Sequence, residues 1–110
     1  MRLPNSENAR VAEQKLKDYL LSTTHPVGAA KARFFQEFGY HHDNAELLEQ
    51  GLLHIARSQD AVRVTESPFG DKYVIDGRLP TPVGREVTVR TVWIIEVDDD
   101  IPRLVTAHPR

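Results

Sequence analysis

Two groups of polar residues in this 110-residue chain have the types and spacing for phosphate chemistry. His25 precedes Pro26 and Gly28 on a constrained turn, and Lys31 follows at the start of a helical segment. A histidine there is a candidate acid or base, and Lys31 a candidate stabiliser of developing phosphate charge. The second group is Lys72, Thr88 and Arg90, which alternate along neighbouring β-favouring runs and so suit one sheet face. Cations and hydroxyls held on a rigid sheet fit a phosphodiester and its pentavalent transition state. Thr106 and His108, two residues apart, share a face of a last strand.

Each residue also has a purely structural reading. His25 caps its turn while Lys31 lays its aliphatic stem over Phe35. Lys72 and Arg90 pair across strands with Asp76, Glu86 or Glu96. His108 is an exposed residue near the end of a strand. His41-His42-Asp43 has metal-ligand chemistry but no further partner at ligand spacing, and Asp43 suits a helix N-cap, so no metal and no cofactor are expected. No Walker, dinucleotide-binding or nucleophile-elbow motif is present.

The elements that must position these residues are legible in the periodicity. Val87 to Val97 is the longest β-favouring run and holds the only Trp. Read with period two, Val87, Val89, Thr91, Trp93 and Ile95 share an apolar face expected to form the core. Thr88, Arg90, Val92, Ile94 and Glu96 share the other. Helical periodicity predicts helices near 12–21, 29–38 and 44–57, with Gly51 inside the third allowing close packing. From Ala61 the period falls to two, predicting strands near 61–65, 72–76, 87–97 and 101–107, with a long connection over 77–84. Three helices followed by four hairpin-linked strands predict an α+β fold. Its N-terminal helices pack on one face of a C-terminal four-stranded antiparallel sheet. The division expected is one domain, 1–110, helical over residues 1–58 and sheet-forming over residues 61–108.

Charge is uneven: +3 over 1–35, −5 over 36–71, +1 over 72–97 and −1 over 98–110, for a net −2. That excludes a general polyanion binder and leaves room for a local basic site. There is no Cys, hence no disulfide framework or thiolate metal site. No apolar run approaches ~18 residues and the polar N-terminus lacks a signal-peptide core, which predicts a cytoplasmic protein without membrane contact.

Two stretches carry a more specific signal. One is Leu3-Pro4-Asn5-Ser6-Glu7-Asn8-Ala9 with His25-Pro26-Val27-Gly28-Ala29-Ala30-Lys31-Ala32-Arg33-Phe34-Phe35. The other is Lys72-Tyr73-Val74-Ile75-Asp76-Gly77 with Val89-Arg90-Thr91-Val92-Trp93 and Pro102-Arg103-Leu104-Val105-Thr106-Ala107. Together they resemble a bacterial family of domains without an assigned activity, found as small proteins and at the ends of phage or toxin-like proteins. More distantly, the element order resembles the barnase–EndoU–colicin–RelE group of metal-independent ribonucleases. That group sets a His or Lys from its helices against Arg and Thr or Ser from its strands. The resemblance implies a ribonuclease-like toxin domain, with RNA as substrate and a cognate immunity or antitoxin protein as partner. His25, Lys31, Arg90, Thr91 and Thr106 would then be catalytic, with Lys72, Arg103 and His108 contacting substrate. The contrasting expectation is a non-catalytic interaction module, phage-associated or antitoxin-like, in which Arg90 is a structural ion pair.

Overall fold

The strand at the centre of the sequence pattern is also central in the fold. In a computed structural model, which describes residues 1–22 and 29–110, four strands form one antiparallel sheet. They are β1 (Arg63–Ser67), β2 (Gly70–Pro80), β3 (Glu86–Glu96) and β4 (Arg103–Pro109), side by side in chain order. Ahead of them come α1 (Glu13–Lys15), which runs into a π-helical turn at Leu16–Leu20, then α2 (Ala29–Glu37) and α3 (Ala45–Ser58). The α+β architecture expected from the periodicities is the one observed.

Val89, Thr91 and Trp93 of β3 are fully buried on the helix side, with Leu48, Leu52 and Ile55 of α3 and Phe35 of α2 in the same core. The alternation of the strand therefore divides as its sequence indicates. Leu20 and Leu21 add to this core. The Leu21 N–H bonds the Leu16 carbonyl at 2.9 Å, so the last turn of the first helix is wider than an α-turn.

Several expected boundaries move, each for a physical reason. β2 does not stop at Asp76 but continues to Pro80, pairing through Gly77 with Val89 and through Leu79 with Val87. The expected long connection shrinks to residues 81–85. A strand survives at Gly77 because α3 lies against it there: a Cβ at Gly77 would come within 2.8 Å of the Ile55 side chain. Gly51 plays the reciprocal role on α3, since a Cβ there would meet Leu79 Cδ2 at 2.6 Å. Two glycines, one on each element, let this helix and strand approach closely. Asp43 does not cap α3. It lies in a short 3-10 turn, His42–Asn44, where Asn44 Oδ1 accepts from the His41 N–H at 2.7 Å and Asn44 Nδ2 donates to the Gly39 carbonyl at 2.9 Å. No helix among the described residues is long and apolar enough to cross a membrane.

Trp93 is the largest fully buried side chain among the described residues. Trp93→Ala should therefore lower the unfolding free energy by about 3–5 kcal/mol. Urea denaturation measures it, and a variant that melts with the parent would mean the two faces of β3 are reversed.

Candidate functional site

The pleat of β3 sends Arg90 to the face of the sheet away from the helices. There it stands opposite Asp76 of β2 and His108 of β4. Arg90 grips Asp76 side-on, Nε to Oδ1 at 2.8 Å and Nη2 to Oδ2 at 3.0 Å, in a bidentate pair. Arg110 Nε donates to the same carboxylate, reaching Oδ2 at 2.8 Å. The pair is sheltered, with the Arg90 and Asp76 side chains only 25% and 18% exposed. The Arg90 hydrogen bonds, reinforced by Arg110 and opposed by partial burial, hold the Asp76 carboxyl below the usual carboxylate range. The structural role open to Arg90 is thus present, and Asp76 is its partner. Arg110, the second cation on that carboxylate, was not legible because it lies beyond the β-favouring pattern.

Thr106 joins this face through an irregularity. Leu104 pairs with Trp93 on the core side, yet Thr106, two residues on, pairs with Val92 on the outer side. A bulge at Val105 supplies the extra residue that reverses the alternation. Without it, Thr106 would follow Leu104 into the core. As built, the Thr106 hydroxyl accepts from Lys31 Nζ at 3.0 Å, joining two residues 75 apart in sequence. Lys31 is half-buried near the start of α2, beside the buried Ala32, and reaches round the edge of the sheet at β4. His108 lies one register step beyond Thr106 on the same face, half-buried, with its Nδ1 3.0 Å from the Pro109 carbonyl oxygen.

Lys31, Thr106, His108 and Arg90 therefore gather at one end of the outer sheet face. Lys72 and Arg103 share the face but not that end. Both stand opposite Ile94, four positions along β3 from Arg90, roughly 13 Å at strand spacing. Arg103 is bonded there to Glu96. Thr91 lies on the opposite, helix-facing side of the sheet from these residues. It is fully buried, donates to the Ile75 carbonyl at 2.7 Å and accepts from Trp93 Nε1 at 2.8 Å. Adjacent strand residues point oppositely, so a chain that displays Arg90 must bury Thr91, and the expected phosphate contact finds no exposed hydroxyl. His25 lies outside the described residues. Among the described residues, no three His, Asp or Glu side chains gather as a metal site would require. A polar cleft of about 530 Å³ opens next to Asp76, lined by His54, Ser58, Gln59, Gly77, Arg78 and Thr88 among others.

Asp76, with its lowered pKa, contributes stability fully present above the unfolded carboxylate value and lost as pH falls through the folded one. Asp76→Asn should therefore melt earlier than the parent at neutral pH. The gap should narrow once pH drops below about 3.9. Denaturant titrations at the two pH values measure it, and a gap independent of pH would mean that the carboxylate charge contributes nothing.

The fold and its outer face can be set beside known proteins. No curated protein matches the chain. Among solved structures it is similar to a chain of a contact-dependent growth inhibition toxin–immunity protein complex from Klebsiella pneumoniae 342. The TM-score is 0.76, the identity 18%, and 96% of each chain is covered. At that identity the likeness is one of fold. The family described as a domain of unknown function, DUF6883, matches residues 2–110. Motifs from Leu3 to Ala107 thus fall inside a single family match, and the chain belongs to the DUF6883 family.

Proposed function

We propose that this domain is a metal-independent, ribonuclease-like domain of the toxin type, acting at the Lys31–Thr106–His108 end of the outer sheet face. The observation that carries the reading is the Lys31–Thr106 hydrogen bond. It holds an ammonium and a hydroxyl together, both half-buried, at one end of the outer sheet face, where in this reading a phosphodiester binds. In the reaction proposed, the RNA 2′-hydroxyl attacks the adjacent phosphorus and the 5′-oxygen leaves. Lys31 stabilises the charge growing on the non-bridging oxygens, and Thr106 orients one of them. His108 supplies the imidazole on this face among the described residues, and in the reaction proposed it exchanges a proton with the attacking or leaving oxygen. His25, the acid or base expected from the sequence, belongs to the same proposal. Arg90 supports the site from behind its pair with Asp76. The fold shared with a chain of a toxin–immunity complex supports a toxin-related role and a cognate protein partner.

A second reading is favoured by a different observation. The Arg90 fork is already occupied by Asp76, and Arg110 adds a second cation to that carboxylate. A site whose arginine serves another side chain suits a non-catalytic interaction module, in which the outer face binds a protein.

Purified chain incubated with tRNA, rRNA and mRNA separates the two. Cleavage is expected to persist in chelator and to vanish on RNA whose 2′-hydroxyls are replaced by hydrogen. Lys31→Ala and Thr106→Ala should each lower the rate about tenfold or more while the domain remains folded, as loss of a transition-state donor does. Cleavage of the deoxy substrate, or dependence on a divalent ion, overturns the mechanism. A folded parent chain that cleaves none of the three RNAs favours the interaction module instead.

A further inference from the structure

The two edges of the sheet are covered unequally: ahead of β1 the Ala61 N–H donates to the Met1 carbonyl at 2.7 Å, and within β1 itself, Arg63–Ser67, no such cover is seen among the described residues. The β4 edge is covered at its start: the Arg10 N–H donates to the Pro102 carbonyl at 2.9 Å and the Leu104 N–H to the Arg10 carbonyl at 3.0 Å. β1, at the other edge, has β2 as its one neighbouring strand. Arg63, Val64, Thr65 and Glu66 are all exposed, and Ser67 is half-buried. No proline or bulge interrupts the strand. Val62 and Val64 are 58% and 40% exposed, and Phe69 at the hairpin tip is 76% exposed. α3 packs on β2 and leaves β1 uncovered on both faces. Such an edge presents a row of unpaired backbone donors and acceptors, and the occupant that satisfies them is another strand.

We propose that this occupant is a second copy of the chain. The two β1 strands pair antiparallel about a twofold axis at Thr65, joining two four-stranded sheets into one. This register uses all five residues of each β1 strand, and the sequence of β1 is compatible with itself there. Thr65 faces Thr65, a favourable cross-strand pair. Val64 faces Glu66 of the second copy and Arg63 faces Ser67, so no like charges are opposed. The same pairing sets Val62 against Pro68.

Space is available for the helices. Directly opposed residues share a face, so both helix layers lie on one side. The β2 strands are then three strand steps apart, roughly 14 Å. Packed helices need only about 8–10 Å, so the two copies of α3 do not collide. Five strand pairs bury less than the ~1,200 Å² of a stable complex, so the dimer is weak and concentration-dependent. It forms through a surface remote from Lys31 and Thr106 and does not depend on RNA cleavage.

The absence of native cysteine makes the pairing directly testable. Opposed Cα atoms lie about 4.5–5.5 Å apart, within disulfide reach. Thr65→Cys should oxidise to a covalent dimer at least about tenfold faster than Phe69→Cys, an exposed position far from its own copy in this register. Under reducing conditions the parent chain should sediment faster as its concentration rises. Thr65→Lys, which opposes two ammonium groups on the axis, should abolish that rise without changing the melting temperature. Cross-linking of Thr65→Cys at the rate of Phe69→Cys overturns the proposal. So does a parent chain that stays monomeric at every concentration, or a dimer that Thr65→Lys leaves intact.

Discussion

Trp93 cannot be buried without an acceptor for its indole N–H, and that requirement organises the centre of the molecule. An unsatisfied donor in a core costs about 1–3 kcal/mol. The acceptor is the Thr91 hydroxyl, two residues back on the same face of β3, which in turn donates a hydrogen bond to the Ile75 carbonyl of β2. A single hydroxyl thereby links the tryptophan to the neighbouring strand. Among the described residues no buried side-chain polar atom lacks a partner, so the polar groups inside this core are matched. Fixing Trp93 inward also fixes the pleat, and the pleat sends Arg90 outward. The composition of the outer face follows from the choice made inside.

On that outer face the constraint is electrostatic. Arg90, Arg110 and Asp76 converge, two cations on one carboxylate. The Asp76–Arg90 pair ties β2 to β3, and Arg110 ties in the residue just past β4. The cluster joins three neighbouring segments without any core contact. Lys31 and Thr106 make the corresponding tie from α2 to β4. These bonds hold cations at defined positions on a surface that no helix among the described residues covers. A chain with net charge −2 can thus carry a localised basic site.

The helix layer reaches the sheet because small residues meet large ones. Gly77 receives Ile55, and Gly51 receives Leu79. α3 therefore sits tightly over β2, but one helix covers only a portion of a sheet. β1 projects beyond it, exposed on both faces. The core, the basic end of the outer face and the open edge are consequences of one arrangement, in which α2 and α3 cover the sheet from β2 to β4.

The sequence by itself determined the fold class and which β3 residues lie inside, because a strand's side chains alternate regardless of what surrounds it. It also contained the reason Thr91 lies inside, since Thr91 shares its parity with Trp93. The motifs that spread from Leu3 to Ala107 were enough for the family. Tertiary structure alone decided how far β2 extends, because only the approach of Ile55 explains a strand through Gly77. It alone chose Asp76 among the three acids available to the cations of the sheet, since that choice depends on register. It alone turned Thr106 outward. Alternation from Leu104 points Thr106 into the core, and the bulge at Val105 reverses it. A bulge is a mismatch between two strands, so neither strand's sequence read singly contains it.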